Sequence, residues 1–262
     1  MRGVAAATGC VILHVVERGA GMPLVLLHGL FGRATNFGTV QRMLSEKFRV
    51  LAIDLRNHGA SPHDAVMDFP AMAADVLDTL RERAALPCAL VGHSMGGKVA
   101  MTLALRMPDA AARLVVVDIA PVPYAHANRA YVDATAAIPL HAGLTRAAAD
   151  AALADAVPDA AVRGFLLQNL QFGAAPAWRL GLDEIAAAMP NIEGWPDLDF
   201  PPYSGPTLFI AGEHSDYVRP EYRPAIRKMF PAARFVTLKG AGHWVHVDNP
   251  SGFVGVLEAF LG

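Results

Sequence analysis

The sequence predicts an α/β fold in which helices cover both faces of a mostly parallel central sheet. Apolar runs of strand length alternate with runs of helical periodicity, and this order requires crossover connections between parallel strands. One strand passes directly into a helix through the pentapeptide Gly-His-Ser-Met-Gly at positions 92–96. Residues 119–203 lack strand character and contain alanine-rich helical stretches, which indicates an insertion between two strands.

Each predicted element rests on the spacing of its apolar residues. Short apolar runs predict buried strands at 11–16, 24–27, 48–53, 88–91, 113–118, 207–211 and 234–238. Apolar residues at helical spacing predict helices at 36–47, 72–83, 97–107, 221–229 and 251–260. Within the insertion, the helical stretches are 147–156 and 160–169.

These elements divide the chain into a core and an insertion. We expect residues 1–118 and 204–262 to form the α/β core, and residues 119–203 to form a helical cap after the strand that ends at Asp118. Because ligands bind at the carboxyl ends of parallel strands, a cap on that side would shape the substrate pocket.

Composition argues against several classes of function. The formal net charge of −2 provides no basic field for nucleic acid, so no nucleic-acid partner is expected. No run of about twenty apolar residues is free of charges and helix breakers, so no membrane span is expected. Two cysteines, Cys10 and Cys88, and the lack of an apolar signal-peptide core favour a cytoplasmic protein without disulfides. Nothing in the composition specifies an oligomeric state.

Ser94 is the predicted nucleophile. It occupies the centre of the G-x-S-x-G pattern between a buried strand and a helix, which is the arrangement of a nucleophile elbow. The sharp turn strains the serine backbone, and small residues at Gly92 and Gly96 let the strand and the helix pack closely. The Met95 N–H at the helix N-terminus is then a donor to the oxyanion that forms when the serine attacks.

A second oxyanion donor is predicted in the loop His-Gly-Leu-Phe-Gly at 28–32. Glycines there allow a backbone N–H to turn toward the position where negative charge develops. Leu30 is the first choice for this donor, and Phe31 is the alternative.

His243 is the predicted base. A serine hydroxyl is a weak nucleophile at neutral pH and needs a base within hydrogen-bonding distance. His243 lies in a glycine-rich loop between the last strand and the last helix, at the expected edge of the sheet. His58 and His214 are open as substrate contacts, although a structural role is favoured for each. The other histidines expected to hold structure are His28, His93 and His246.

The chain also carries five segments in a characteristic order: HGLFG, DLRNHGAS, GHSMGGKVAM, VVVDIAP and GAGHWVH. Through them nearly the whole chain resembles the α/β-hydrolases, and most closely the bacterial YbfF-type esterases and the α/β-hydrolase domain 11 proteins. The resemblance implies the α/β-hydrolase fold and a serine carboxylesterase or acyl-thioesterase. Such an enzyme cleaves a small-molecule ester or thioester through an acyl-enzyme and uses no cofactor or metal.

Two carboxylates compete for the role of orienting His243. In the usual hydrolase arrangement the acid is the fourth residue of a G-x-x-D pattern after the insertion. Here Ser215 occupies that position, and Asp216 follows one residue later. The resemblance to the YbfF-type branch instead implies Asp118, at the end of the strand after the nucleophile helix. We favour Asp118 and keep Asp216 as the alternative acid, with Asp183 in the insertion a distant third.

Four residues are predicted to contact substrate. Arg56 and Asn57 follow a strand end, where a cation could hold an acidic acyl group or the phosphates of coenzyme A. An arginine at such a position also commonly braces loops through backbone carbonyls. Phe31 in the oxyanion loop and Trp244 beside the predicted base are the aromatic members of this set.

The same catalytic residues also serve other reactions on this fold. Carbon–carbon bond hydrolysis, lyase chemistry and perhydrolysis are therefore alternatives to ester cleavage, since a fold does not choose among them. A ligand-binding protein without activity is a further alternative. Such a protein would not require the serine, the histidine and the glycine-rich loops together.

Overall fold

The fold is assigned from a computed structural model, which describes residues 11–124, 128–197 and 199–262. Within these ranges the strands are β1 (Val15–Arg18), β2 (Pro23–Leu27), β3 (Arg49–Ile53), β4 (Cys88–His93), β5 (Ala111–Val117), β6 (Leu170–Gln171), β7 (Ala177–Trp178), β8 (Thr207–Gly212) and β9 (Ala233–Leu238). The helices are α1 (Gly38–Leu44), α2 (Phe69–Glu82), α3 (Met95–Arg106), α4 (Asn128–Ala136), α5 (Arg146–Leu153), α6 (Ala160–Leu166), α7 (Leu182–Glu193), α8 (Arg223–Met229), α9 (Val245–Asp248) and α10 (Pro250–Leu261). Short 3₁₀ turns cover Ala34–Phe37, Pro108–Ala110, Leu167–Asn169 and Pro220–Tyr222.

Seven of these strands form one sheet in the order β1-β3-β2-β4-β5-β8-β9. Every neighbouring pair is parallel except β1 with β3. Alternate side chains of a strand point to opposite faces, so on β2 Val25 and Leu27 pack in one core cluster while Leu24 and Leu26 pack in the other. Helices α2 and α3 cover the first face, and α1 and α10 cover the second. The predicted mostly parallel α/β sheet is confirmed, and burial of both faces explains its apolar central strands.

The carboxyl ends of β2, β4 and β5 meet at one edge of the sheet. The register pairs Leu27 with Gly92 and His93 with Val117. The loop after β2 and the residue after β5 therefore lie beside Ser94, which follows β4 directly.

The chain between β5 and β8 contains helices α4 to α7, as expected for a helical insertion. It also contains β6 and β7, a two-residue antiparallel pair, so the expectation of an insertion without strands was wrong at this point. Strands this short hold too few residues for alternation to be visible in a sequence. The insertion contacts the core through a β-bridge between His58 and Leu180 and a hydrogen bond from Gly181 N to Asn57 O of 2.9 Å.

The first strand begins later than predicted. The apolar run at 11–16 suggested a strand over its whole length, but β1 starts at Val15. A side chain accounts for part of the difference, because the Leu13 N–H donates to Thr79 Oγ1 at 3.0 Å and not to a neighbouring strand.

The described residues include one cysteine, Cys88, which is buried and unpaired. Burial raises the pKa of its thiol to about 12. Cys10, the other cysteine of the sequence, lies outside the described residues. Among the helices of the described ranges, none is both long enough and apolar enough to cross a membrane.

Candidate active site

Ser94 lies in the turn between β4 and α3. Its φ of 52° and ψ of −119° form a conformation that residues other than glycine rarely adopt. The turn is so tight that a Cβ atom on Gly92 would collide with the Gly96 carbonyl oxygen, and a Cβ atom on Gly96 would collide with the Leu27 carbonyl oxygen. Ser94 is therefore held in a strained conformation at the N-terminus of α3, which is the geometry of a nucleophile elbow.

His243 and Asp118 are in direct contact. Nδ1 of His243 lies 2.7 Å from Oδ2 of Asp118, and Oδ1 of Asp118 accepts from Gly212 N at 3.0 Å. The Asp118 side chain is fully buried, whereas that of His243 is 25% exposed. Because a carboxylate accepts hydrogen bonds, Nδ1 of His243 carries the proton and Nε2 is left as an acceptor.

Ser215 is a further partner of Asp118, and sequence reasoning did not assign it a role. Its hydroxyl donates to Asp118 Oδ2, the same oxygen that His243 contacts. The signal was present, since Ser215 occupies the position where the usual pattern has the acid. The alternative acid, Asp216, is exposed, and its backbone carbonyl accepts from Arg219 Nε at 3.0 Å. The structure thus brings Asp118 to His243 and leaves Asp216 facing solvent.

Two aromatic rings restrain His243. The Tyr217 ring stacks on it with a centroid distance of 4.0 Å and an interplanar angle of 21°. Nε2 of His93 donates to the His243 carbonyl oxygen at 2.8 Å, and the two imidazole rings are 4.7 Å apart. These contacts fix both the backbone and the ring of the predicted base.

A buried histidine holds the 28–32 loop. Nδ1 of His58 donates to Arg56 O at 2.9 Å, so Nε2 is free to accept the Phe31 N–H at 3.2 Å. This contact occupies the Phe31 N–H, which corrects the alternative choice of Phe31 as an oxyanion donor. Leu30 remains the expected donor in this loop, and it borders the cavity beside Ser94.

Arg56 and Asn57 were expected to contact substrate, but they lie away from the cavity. Both are buried and outside the lining of the cavity that contains Ser94. Arg56 donates from Nε and Nη2 to the two carboxylate oxygens of Asp75, at 2.5 and 2.7 Å. Asn57 Nδ2 donates to Asp64 O at 2.9 Å, and its Oδ1 accepts from Asp64 N at 2.8 Å. The expectation is corrected, since these residues brace the loop after β3.

Four histidines near the site are buried, and burial lowers the pKa of each because it disfavours the charged imidazolium. They are His28, His58, His93 and His246. The pKa of His58 and that of His246 fall to about 3. His58 is fully buried and outside the cavity lining, while His214 is exposed and also outside it, so neither has the position of a substrate contact.

These buried histidines predict a loss of stability in mild acid. His58 and His246 titrate near 3 when folded but near the ordinary value of 6.5 when unfolded, so the unfolded chain binds more protons between those values. Their contribution is fully present above about pH 6.5 and is lost as the pH falls. At about pH 5.5 each should cost roughly 1.4 kcal/mol, or about 3 kcal/mol for the pair.

Urea unfolding at about pH 7.5 and about pH 5.5 measures this loss in the free energy of unfolding. A His246→Gln variant should show a smaller difference between the two pH values than the wild type. The matched control is His214→Gln, because His214 is exposed and should leave the difference unchanged. Equal stability of the wild type at both pH values would contradict the prediction.

The cavity beside Ser94 has a volume of about 210 Å³. Ser94, His243 and the 28–32 loop line it. Mainly apolar side chains from the insertion also line it, together with Trp244 from the loop before α9. These residues are Tyr131, Val162, Phe165, Leu166 and Trp244. The Phe165 and Trp244 rings are 5.4 Å apart, and Phe31 also lines the cavity, so Phe31 and Trp244 have the position expected of substrate contacts.

Comparisons with known proteins agree with this architecture. The mouse protein named sn-1-specific diacylglycerol lipase ABHD11 is 42% identical over 259 residues, covering 95% of this chain and 84% of the relative. Esterase YbfF of Escherichia coli is 38% identical over 241 residues, covering 91% of this chain and 92% of the relative. A solved structure named Marine microorganism esterase has a TM-score of 0.92 and 33% identity, covering 95% of this chain and 99% of that one.

These findings confirm the predicted class of enzyme, an esterase-type hydrolase, and the resemblance on which the prediction rested. The profile of the Alpha/beta hydrolase family matches residues 24–256, from β2 into the last helix. The chain belongs to the alpha/beta hydrolase family.

Proposed function

We propose that the protein cleaves carboxylic esters through an acyl-enzyme, with Ser94 as nucleophile, His243 as base and Asp118 as the acid that orients the base. The observation that carries the proposal is the 2.7 Å contact between His243 Nδ1 and Asp118 Oδ2, with His243 and Ser94 lining the same cavity. Acyl transfer needs three groups: a nucleophile, a base that can accept its proton and an acid that orients the base. Here these are a serine at a strained elbow, a histidine whose Nε2 is an acceptor and a buried carboxylate behind it.

The reaction follows from this arrangement. Ser94 Oγ attacks the carbonyl carbon of the ester while His243 Nε2 takes the hydroxyl proton. The backbone N–H groups of Leu30 and Met95 stabilise the oxyanion of the tetrahedral intermediate. Collapse breaks the bond to the leaving oxygen, which receives the proton from His243. Water then attacks the acyl-enzyme, with His243 again as base, and releases the acid and the free serine.

The insertion acts as a cap in this proposal, and we assign residues 119–203 to it and residues 1–118 and 204–262 to the core. Its helices supply much of the apolar cavity wall. Lys98, which is buried on α3, ties it to the core by donating from Nζ to the carbonyls of Glu193 and Gly194, at 3.3 and 2.5 Å. A cap held this close excludes bulk water from the reacting ester.

The substrate is an ester with an apolar group small enough for a cavity of about 210 Å³. The relatives are named a diacylglycerol lipase and an esterase, which supports an ester as the substrate. Acyl thioesters are included, because they react by the same steps with a thiol as leaving group. Carbon–carbon hydrolysis, lyase chemistry, perhydrolysis and simple binding find no support in these names. A cytoplasmic location stays a prediction.

A fluorophosphonate probe and a substrate panel test the proposal. The probe should label the wild type on Ser94, and p-nitrophenyl esters and acyl thioesters should be hydrolysed. A vinylogous diketone serves as the comparison substrate for carbon–carbon cleavage. Faster cleavage of the diketone than of every ester would reassign the reaction. Absence of both labelling and turnover would support a binding protein, because a serine that only lines a binding pocket is not activated.

A further inference from the structure

Asn169 of the insertion contacts the backbone of the oxyanion loop. It ends the 3₁₀ turn Leu167–Asn169, and its Nδ2 donates to the Phe31 carbonyl oxygen at 2.7 Å. We propose that Asn169 is a positioning residue, through which docking of the insertion sets the direction of the Leu30 N–H. The inference rests on the proposed function, because it assigns Leu30 as an oxyanion donor.

Phe31 is held on both sides by side chains. Its φ of 61° is unusual for a residue with a Cβ, so the loop needs external contacts to keep this conformation. His58 Nε2 accepts the Phe31 N–H from the core side, and Asn169 Nδ2 donates to the Phe31 carbonyl from the insertion. The loop conformation therefore depends on a residue that belongs to a different part of the chain.

Two rigid peptide units connect Asn169 to the proposed donor. The Phe31 carbonyl shares a planar peptide unit with the Gly32 N–H, and that N–H donates to Gly29 O at 2.9 Å. The Gly29 carbonyl shares the next planar unit with the Leu30 N–H. Turning the Phe31 carbonyl away from Asn169 would rotate the Gly32 N–H and loosen its bond to the Gly29 carbonyl. That carbonyl would keep one partner, His28 Nδ1 at 2.8 Å, so the unit that carries the Leu30 donor would be held by one hydrogen bond in place of two.

The surroundings of Asn169 argue against a purely structural role. Its side chain is buried, yet within the described part of the chain its Oδ1 has no hydrogen-bond partner. A buried amide with an unpaired oxygen is less stable than an apolar side chain of similar size. Nδ2 also donates to the Leu166 carbonyl of its own segment, but at 3.4 Å against 2.7 Å for the Phe31 carbonyl. The shorter bond to Phe31 therefore explains the amide better than a contribution to packing.

The neighbouring residue provides a matched control. Gln168 also joins the insertion to the core, because its Oε1 accepts from Asn36 Nδ2 at 3.0 Å. Gln168 is exposed and Asn36 is half-buried, and the contact does not involve the peptide units of Phe31. Gln168→Ala therefore removes an amide contact across the same boundary without changing the proposed path to the Leu30 N–H.

The test compares Asn169→Ala, Asn169→Asp and Gln168→Ala with the wild type, each shown to be folded by its melting curve. The substrate is a p-nitrophenyl ester, and the ligand is a trifluoromethyl ketone, whose adduct places an oxyanion in the hole. We expect both Asn169 variants to lose roughly 10- to 100-fold in kcat, with KM within about threefold. Affinity for the ketone should fall by a similar factor, while Gln168→Ala stays near wild type.

Several outcomes would overturn the inference. These are wild-type kcat and ketone affinity in a folded Asn169 variant, a loss confined to KM, or an equal loss in Gln168→Ala. Failure of both Asn169 variants to fold would also overturn it, since Asn169 would then serve stability. Failure of the proposed function is distinct, because the wild type itself would then neither hydrolyse the ester nor react with the fluorophosphonate.

Discussion

Replacing Ser94 with alanine is expected to lower kcat for ester hydrolysis by about 10⁴-fold or more while the protein stays folded. The hydroxyl is the atom that forms the acyl-enzyme, and the elbow holds it in the cavity beside His243. Alanine keeps the Cβ atom that serine already places at this positive φ, so the substitution adds no backbone strain. Steady-state kinetics measure the loss of kcat, and a melting curve shows whether the variant is folded.

His243→Ala extends this test. If the serine and the histidine act as one unit, the single variants should lose similar amounts, and the double variant should be little worse than either. Additive losses would instead give His243 a role in binding. Activity of Ser94→Ala within about tenfold of wild type would show that another residue is the nucleophile.

Replacing Asp118 with asparagine is expected to lower kcat by up to about 10⁴-fold. An amide can present its N–H to Nδ1 of His243, which favours the tautomer with the proton on Nε2 and removes the acceptor that the serine needs. It also cannot stabilise the imidazolium that forms during the reaction. The effect should appear in kcat, because the buried Asp118 lies behind His243 and not in the cavity lining.

Asp216→Asn is the matched control, because Asp216 is exposed and should tolerate the same chemical change with little loss. Both variants must first be shown to be folded. Asp118 accepts hydrogen bonds from three groups, and losing a buried charge partner destabilises a domain by about 3–5 kcal/mol. The reverse ranking, with Asp216→Asn inactive and Asp118→Asn nearly normal, would move the acid to the loop after β8.

Sequence reasoning worked best where function depends on a local pattern. The elbow around Ser94 combines a short motif with a strand before it and a helix after it, so a window of about twenty residues contains the signal. His243 was predicted for a similar reason, from a glycine-rich loop at a fixed place in the order of elements. The structure places both residues on one cavity, and the fold and the family are confirmed.

Residues whose roles depend on distant partners were beyond that reasoning. Arg56 was predicted to contact substrate because the sequence does not show its partner, Asp75, which lies 19 residues away on a helix. Asn169 contacts Phe31 across 138 positions of sequence, so no local pattern marks it. Asp118 and Asp216 could be ranked only by resemblance, because loop geometry decides which carboxylate reaches the imidazole.

Asp118 directly follows β5, so its position depends on the sheet and not on a long loop. This position affects how the enzyme could diversify. When the acid lies in the loop after β8, an insertion or deletion there risks displacing a catalytic group. Here that loop contributes Tyr217 to the cavity and a hydrogen bond from Ser215 to Asp118, while Asp118, the proposed acid, directly follows β5. Changes in length beyond Ser215 could therefore alter which substrates are accepted while the charge behind His243 stays in place. Evolution or engineering can therefore vary substrate specificity at this loop with less risk of lowering the catalytic rate.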